Sequence, residues 1–318
     1  MWSATSWSLR AFAGPRRRHA NPNPNPNPHP NNPNPNPNPN PCPLTLTLAL
    51  ALALALALRS PSPSPNPNPN PNPNPNPNPN PKVNAHLVSE GSSLDVLCCN
   101  AGIMLQPDAP SVDGYDVTMA TNVLSHFLLV RELYHALEKT AAATSGRCEA
   151  RVVTMSSSSG AGPPGFDQTF YAAGSGGSLG GTEQSYMRYH HSKLGNLLFT
   201  AALDTKLREA GSSVKALVCN PGVCSTDMLV HASSHFSPGK PADLSTVPSV
   251  EDGSLAQLKC ICDPDVQSGE YWGWEGVTGN CSVLPMRIAL EPPAAFVDEA
   301  SKAALWAACE AAVGVFEV

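Results

Sequence analysis

The sequence predicts an α/β body behind a tract that cannot fold. Three short apolar runs, "LDVLCC", "RVVTM" and "VKALVC", stop at Asn100, at a run of serines and at Asn220-Pro221-Gly222, as buried strands do. Long stretches of helical periodicity lie between them, so strand and helix alternate. Ahead of all this, residues 21–81 hold 22 of the 35 prolines, mostly as Asn-Pro repeats.

Proline fixes φ and removes every second amide donor, so the Asn-Pro tract is expected to be disordered or polyproline-like. Between its halves sits an alternating Thr-Leu and Ala-Leu stretch, Leu44 to Leu58. At 15 residues it would reach about 22 Å as a helix, short of a membrane span. One DNA hexamer, AACCCT, encodes Asn-Pro in one frame and Thr-Leu in the next. Single-base variants give the Ala-Leu, Ser-Pro and His-Pro pairs. We therefore read residues 21–81 as a translated DNA repeat or a gene-model error rather than a selected domain. Residues 1–20 are Arg-rich and free of acid, which fits an organelle transit peptide and an accidental reading frame equally well.

The first 89 residues carry six basic side chains and no acidic one, which leaves −12 on the remainder for a net charge of −6. A mildly acidic body gives no expectation of nucleic acid as a partner, because phosphate binding needs clustered positive charge. Ten cysteines without a CxxC pair or a spaced His-Cys set read as reduced thiols in a cytosolic or organellar protein, with no zinc site.

From Lys82 onward the elements follow in order. The first strand ends in Asn100-Ala101-Gly102, small residues that let backbone approach a ligand. Val117, Ala120, Val123, Leu124, Phe127 and Leu128 then mark an amphipathic helix that includes Asn122. The second strand, Arg151 to Met155, runs into Ser156–Ser159. The string from Gly160 to Gly165 matches GxGxxG, but Pro163 and Pro164 remove donors and no helix opens there, so the match is rejected. A Gly-rich segment, Ala172 to Gly181, is expected to be a loop. The next helix places Tyr189 and Lys193 at i and i+4, on one face. His190 and His191 have no evident partner for base chemistry. The third strand leads into Pro221, Gly222 and Thr226.

Together, "NAG", "TNVLSHFLL", "RVVTMSS", "YHHSKLGNLLFT" and "NPGVCSTDM", in that order, resemble the short-chain dehydrogenase/reductase family, and within it the retinol-dehydrogenase-like branch. The likeness runs from about Leu94 to Val318. It implies a Rossmann-like, doubly wound parallel sheet in residues 82–318, an NAD(P) cofactor, and a small alcohol or carbonyl substrate of lipophilic character. By the resemblance Tyr189 is the acid–base group, Lys193 its activator, Ser157 the carbonyl positioner with Ser156 as runner-up, and Asn122 the keeper of a water relay. Asn100, Ala101, Gly102, Pro221, Gly222 and Thr226, with Tyr189 and Lys193, would border the cofactor. A nearby ammonium should lower a phenol's pKa from near 10 toward the working range.

The family's glycine-rich TGxxxGxG turn has no counterpart upstream of Asn100. The resemblance thus implies a partial fold with an apolar, doubly covered strand left at the sheet edge, and it leaves NAD against NADP unread. Two readings stay open for the chain as written. One is an oxidoreductase with impaired cofactor binding, and the other is a catalytically inactive remnant or interaction module.

Overall fold

The computed structural model describes residues 94–143, 149–240, 243–273, 288–289 and 294–318. The leader, the Asn-Pro tract and the Leu44–Leu58 stretch lie outside the described residues.

Five strands, β1 (Val96–Cys99), β2 (Arg151–Met155), β3 (Lys215–Cys219), β4 (Tyr271–Gly273) and β5 (Ile288–Ala289), form one sheet in that spatial order. The first four are parallel, with Val96 opposite Arg151, Arg151 opposite Lys215 and Val218 opposite Tyr271. β5 adds antiparallel, Trp272 opposite Ala289. Side chains alternate across the pleat. Leu97, Cys99, Val152 and Ala216 join the larger core on one face, while Val153, Met155, Leu217 and Cys219 join a second core on the other. β2 is buried along its whole length, as expected for a central strand of a two-sided parallel sheet.

The larger core is built by α2 (Ser125–Ala143), α3 (Ser185–Glu209) and α6 (Glu299–Val313). Phe127 of α2 lies 5.5 Å from Phe199 of α3 and 4.9 Å from Trp306 of α6, ring centroid to ring centroid. α5 (Val250–Cys262) covers the second face through Ala256 and Cys260. Its start is fixed by a reciprocal capping box between Ser249 and Asp252. Its last turn is met by Arg151, whose guanidinium donates to the carbonyls of Cys260 and Asp263.

Local chemistry sets the other boundaries. Asp116 caps the short helix α1 (Val117–Met119) by accepting from the amides of Thr118 and Met119. A π-helical turn, Ala120–Leu124, then joins α1 to α2. α3 stops at Gly211 (φ 69°), where the Gly211 amide reaches Arg208 O and the Ser212 amide reaches Leu207 O in a Schellman arrangement.

The sheet edge departs from expectation. β1 is not covered equally on both faces: Leu97 and Cys99 are buried, whereas Val96 and Cys98 are only half-buried among the described residues. Its apolar run therefore serves mainly the larger core.

Candidate active site

The predicted residues converge at the C-terminal ends of the parallel strands, where ligands bind in open α/β sheets. Asn100, Ala101 and Gly102 leave β1, Ser156 and Ser157 leave β2, and Pro221 and Gly222 leave β3. α3 crosses beneath them and brings Tyr189 and Lys193, one turn apart, to the same place.

Lys193 is buried, and its ammonium donates to Met155 O at 3.0 Å, at the tip of β2. It stands 5.7 Å from the centroid of the Tyr189 ring. Burial lowers its pKa to about 8, with Cys219 pulling weakly the other way. Asn196, one turn on, donates to the same carbonyl at 3.0 Å. Gly160 lets the turn after β2 lie directly on α3. A Cβ there would fall 2.9 Å from the Lys193 carbonyl group. The two glycines at the head of the rejected GxGxxG string thus serve packing: a Cβ on Gly162 would meet His190 Nδ1 at 2.3 Å.

The geometry separates the serines. Ser156 is buried and spends its hydroxyl on Lys193 O at 2.8 Å. Ser157 is half-buried and accepts from the Ser159 amide, and its side chain lies near enough to the Tyr189 phenol to pull that pKa down. The phenol itself contradicts the simple expectation. Burial pushes Tyr189 up to about 12, and the group that pulls it back is Ser157 rather than the lysine. The reason is placement: the ammonium sits near the ring face and is committed to Met155 O.

Asn122 lies in the π-turn, a feature that often marks functional sites in helices. Its amide group donates to Ile103 O and to Ser192 Oγ, both at 2.9 Å, and its Oδ1 accepts from the Ile103 amide at 2.8 Å. Ser192 in turn donates to Tyr189 O at 2.8 Å. Asn122 therefore clamps the strand-end loop to the helix that carries the tyrosine. Sequence reading missed Ser192; its signal was a polar series on α3, Ser192, Asn196, Thr200 and Asp204, repeating every four residues along one side of the helix.

Other predicted positions are more loosely gathered. Asn100 is exposed and accepts from Gln257 at 3.3 Å. Asn220 Oδ1 accepts from the Gly222 amide at 3.0 Å, and Gly222 (φ 70°) turns the chain away from β3. Thr226 starts α4 (Asp227–Phe236), with its hydroxyl 3.4 Å from Cys224 O. No hydrogen bond among the described residues joins Pro221, Gly222 or Thr226 to Tyr189 or Lys193. His191 stacks on Phe170 at 4.0 Å, and burial lowers its pKa to about 4. Neither it nor His190, which packs edge-on against Tyr186 at 4.3 Å, faces a nucleophile. Among the described residues no group of three His, Cys, Asp or Glu is placed to hold a metal, and no helix is long and apolar enough to cross a membrane.

The residues present suit the nicotinamide end of a dinucleotide. Met155 O takes only one of the three donors on Lys193. Gly102 keeps the space beside the amine clear, since a Cβ there would stand 3.4 Å from Nζ and 3.6 Å from Asn122 Oδ1. Among the described residues no strand-to-helix glycine turn offers a phosphate cradle.

No family model matches the chain. It is 32% identical over 151 residues to human retinol dehydrogenase 11, covering 46% of this chain and 41% of the relative. It is 29% identical over 191 residues to the chloroplastic short-chain dehydrogenase TIC 32 A of Brassica napus, covering 58% and 57%. The chain thus spans about half the length of these curated relatives. Among solved structures, an uncharacterized protein from Mycobacterium paratuberculosis superposes with a TM-score of 0.51 at 27% identity, over 73% of this chain and 71% of that one. The homologues of this chain are retinol dehydrogenases and other short-chain dehydrogenases, and its fold is the doubly wound α/β arrangement that its sequence predicts.

Proposed function

We propose that the body from Lys82 to Val318 carries the proton-handling half of an NAD(P)-dependent oxidoreductase that interconverts alcohols and carbonyls. The observation that carries this reading is the placement of Tyr189 and Lys193 one turn apart on a buried helix at the C-terminal strand ends, with Lys193 on Met155 O and its ammonium beside the Tyr189 ring. NAD(P), when bound, supplies or accepts the hydride. Asn100, Ala101, Gly102, Pro221, Gly222 and Thr226, with Lys193, would hold its nicotinamide side.

The protein's task is the proton at the substrate oxygen. Tyr189 Oη gives or takes it, and the Ser157 hydroxyl donates to the same oxygen as charge develops there. A phenol at about 12 is a reluctant donor of its proton at neutral pH. The free donors of Lys193 can lower it once its charge is turned toward the phenol. Asn122 keeps this geometry by fixing Ile103 and Ser192, and a water relay through it to Lys193 is part of the proposal.

A lipophilic substrate is supported by the mouth of the site. Tyr186 stacks over Tyr189 at 6.2 Å and meets Phe236 at 5.1 Å. Met187, Val230 and Phe236 are exposed beside them. A second reading, an inactive remnant, is favoured by the raised phenol and by the want of a phosphate cradle among the described residues. Purified full-length chain, given NADH or NADPH with decanal or retinaldehyde, decides between them. Turnover that falls by roughly 10²–10⁴ in Tyr189→Phe supports the enzyme. Absence of turnover and of any NAD(P)H fluorescence change supports the remnant.

A further inference from the structure

The residue before the tyrosine, Arg188, is fully buried, and its guanidinium is the hub of a polar cluster that the chemistry above does not use. Nη1 donates to Gly181 O at 2.7 Å and Leu179 O at 3.2 Å, and Nη2 donates to Gln106 O at 2.9 Å. Nε lies 3.2 Å from Asp116 Oδ2 as a charge contact, and Asp108 Oδ2 is 4.0 Å from Nη1. Asp108 accepts the amides of Gly177, Leu179 and Gly181 at 2.7 to 2.9 Å. Burial pushes the Asp108 carboxyl up, but those amides and Arg188 outweigh it and hold it below the usual carboxylate range.

These bonds tie three segments to one side chain. The first is the strand-end loop at Gln106 and Asp108. The second is the N-cap of α1, Asp116, nearly two turns before Asn122. The third is the Gly-rich segment 172–181, which the sequence reads as a loop. That segment is also seated on its neighbour: the Gly174 amide reaches Gly114 O at 3.1 Å, and a Cβ on Gly176 would strike Pro110 Cα at 2.4 Å. Gly174, Gly177, Gly180 and Gly181 all have positive φ. The glycines are therefore required by one fixed path of the backbone.

We propose that Arg188, with Asp108 and Asp116, holds segment 172–181 as a fixed wall against the strand-end loop and the start of α3, not as a lid that opens and closes. The planar fork is what the site demands, because three carbonyls and two carboxylates surround one cation. Removal of one partner leaves buried charge uncompensated, so the cluster acts as a unit.

The test is amide hydrogen exchange by mass spectrometry on the full chain, as wild type, Arg188→Met, Arg188→Lys and Asp108→Asn. The wild type is expected to protect peptide 172–181. Asp108→Asn and Arg188→Met are expected to speed exchange there by about tenfold or more while β2 stays protected. Arg188→Lys, which keeps the charge but loses the fork, should fall between. Free exchange of 172–181 in the wild type, or unchanged exchange there in a variant whose β2 remains protected, overturns the proposal. If Arg188→Met does not fold, Asp108→Asn decides, since it leaves Arg188 and Asp116 in place. The proposal rests on the preceding reading only for what the wall faces. A wild type that protects 172–181 yet shows no turnover sinks that reading and leaves the wall standing.

Discussion

α3 buries eighteen of its 25 residues, whereas α4 buries only Ala232 of its ten, although both border the same site. α3 is held on every side, by β3, by the turn after β2 and by α6. α4 rests on the site through its aromatic end, where Phe236 meets Tyr186. The contrast teaches where chemistry and choice are kept apart. The groups proposed to handle a proton sit on the more deeply buried helix. The surface proposed to meet the rest of a substrate sits on the helix that the core holds least.

The largest effect expected from breaking this contrast is in the shared core. Phe199 of α3 is 1% exposed and packs against Phe127 and Trp306. Phe199→Ala should cost about 3–5 kcal/mol, read as a lower denaturant midpoint at unchanged m-value. A loss under about 1 kcal/mol would mean that α3 is not the rigid partner described.

The next effect is electrical. Lys193 loses its proton near pH 8 in the folded chain and near 10.5 when unfolded. Between those values this site binds more protons in the unfolded chain, so its own contribution to stability rises with pH across that window, against the opposite contribution above pH 9.0 of the buried thiols of Cys98, Cys99 and Cys309, whose pKa values burial raises. Below about pH 8 the lysine is charged in both states, and its burial costs the fold on the order of 3 kcal/mol. Lys193→Met should remove the rise between pH 8 and 10.5. Tyr189, raised to about 12, acts oppositely and only above pH 10, where stability falls as pH rises. Urea titrations at pH 7, 8, 9 and 10 check the slope; a slope identical in the two proteins contradicts a buried, depressed amine.

These two cases also show what the sequence could reveal. The apolar runs at β2 and β3 were legible because a strand buried on both faces needs apolar residues without a break, and β1 showed the same kind of run although one of its faces is only half-covered. The pairing of Tyr189 with Lys193 was legible because i and i+4 share a helix face. The hub of Arg188, Asp108 and Asp116 was not, because charged residues read as solvated until the fold shows what surrounds them. Ser157 was ranked over Ser156 only by the resemblance, since nothing within a run of four serines distinguishes them; the fold commits the Ser156 hydroxyl to Lys193 O. Nor does periodicity announce the π-turn at Asn122, since one added residue in a helical turn leaves the apolar pattern almost intact.

A smaller effect is expected from Gly160→Ala. The new methyl would press on the Lys193 carbonyl and on Leu197 at 2.9 Å, and backbone cannot yield as a side chain can. The expected loss is about 1–3 kcal/mol. Because the strain falls on the contact that aligns Ser157 with Tyr189, turnover should drop further than stability alone explains. Equal melting temperatures in Gly160→Ala and wild type would show that the turn after β2 is looser than this packing implies.

The smallest effect on stability, and the sharpest test of the contrast, is Phe236→Ala on α4. The ring is 56% exposed and touches Tyr186 and His235 rather than the core. Its loss should change stability by no more than about 0.5 kcal/mol, as for other surface positions. Yet the same ring meets Tyr186, which stacks over Tyr189, and under the proposed function it would line the mouth of the site, so removing it would withdraw buried area from a long-chain substrate and none from a short one. KM for decanal should rise several-fold while KM for propanal and kcat for both stay level, because the interaction lost is the same in the ground and transition states. If kcat falls with KM unchanged, α4 takes part in the chemistry and the two helices do not divide the work. If decanal and propanal shift together, the rim does not read chain length, and the case for a lipophilic substrate rests on the relatives alone.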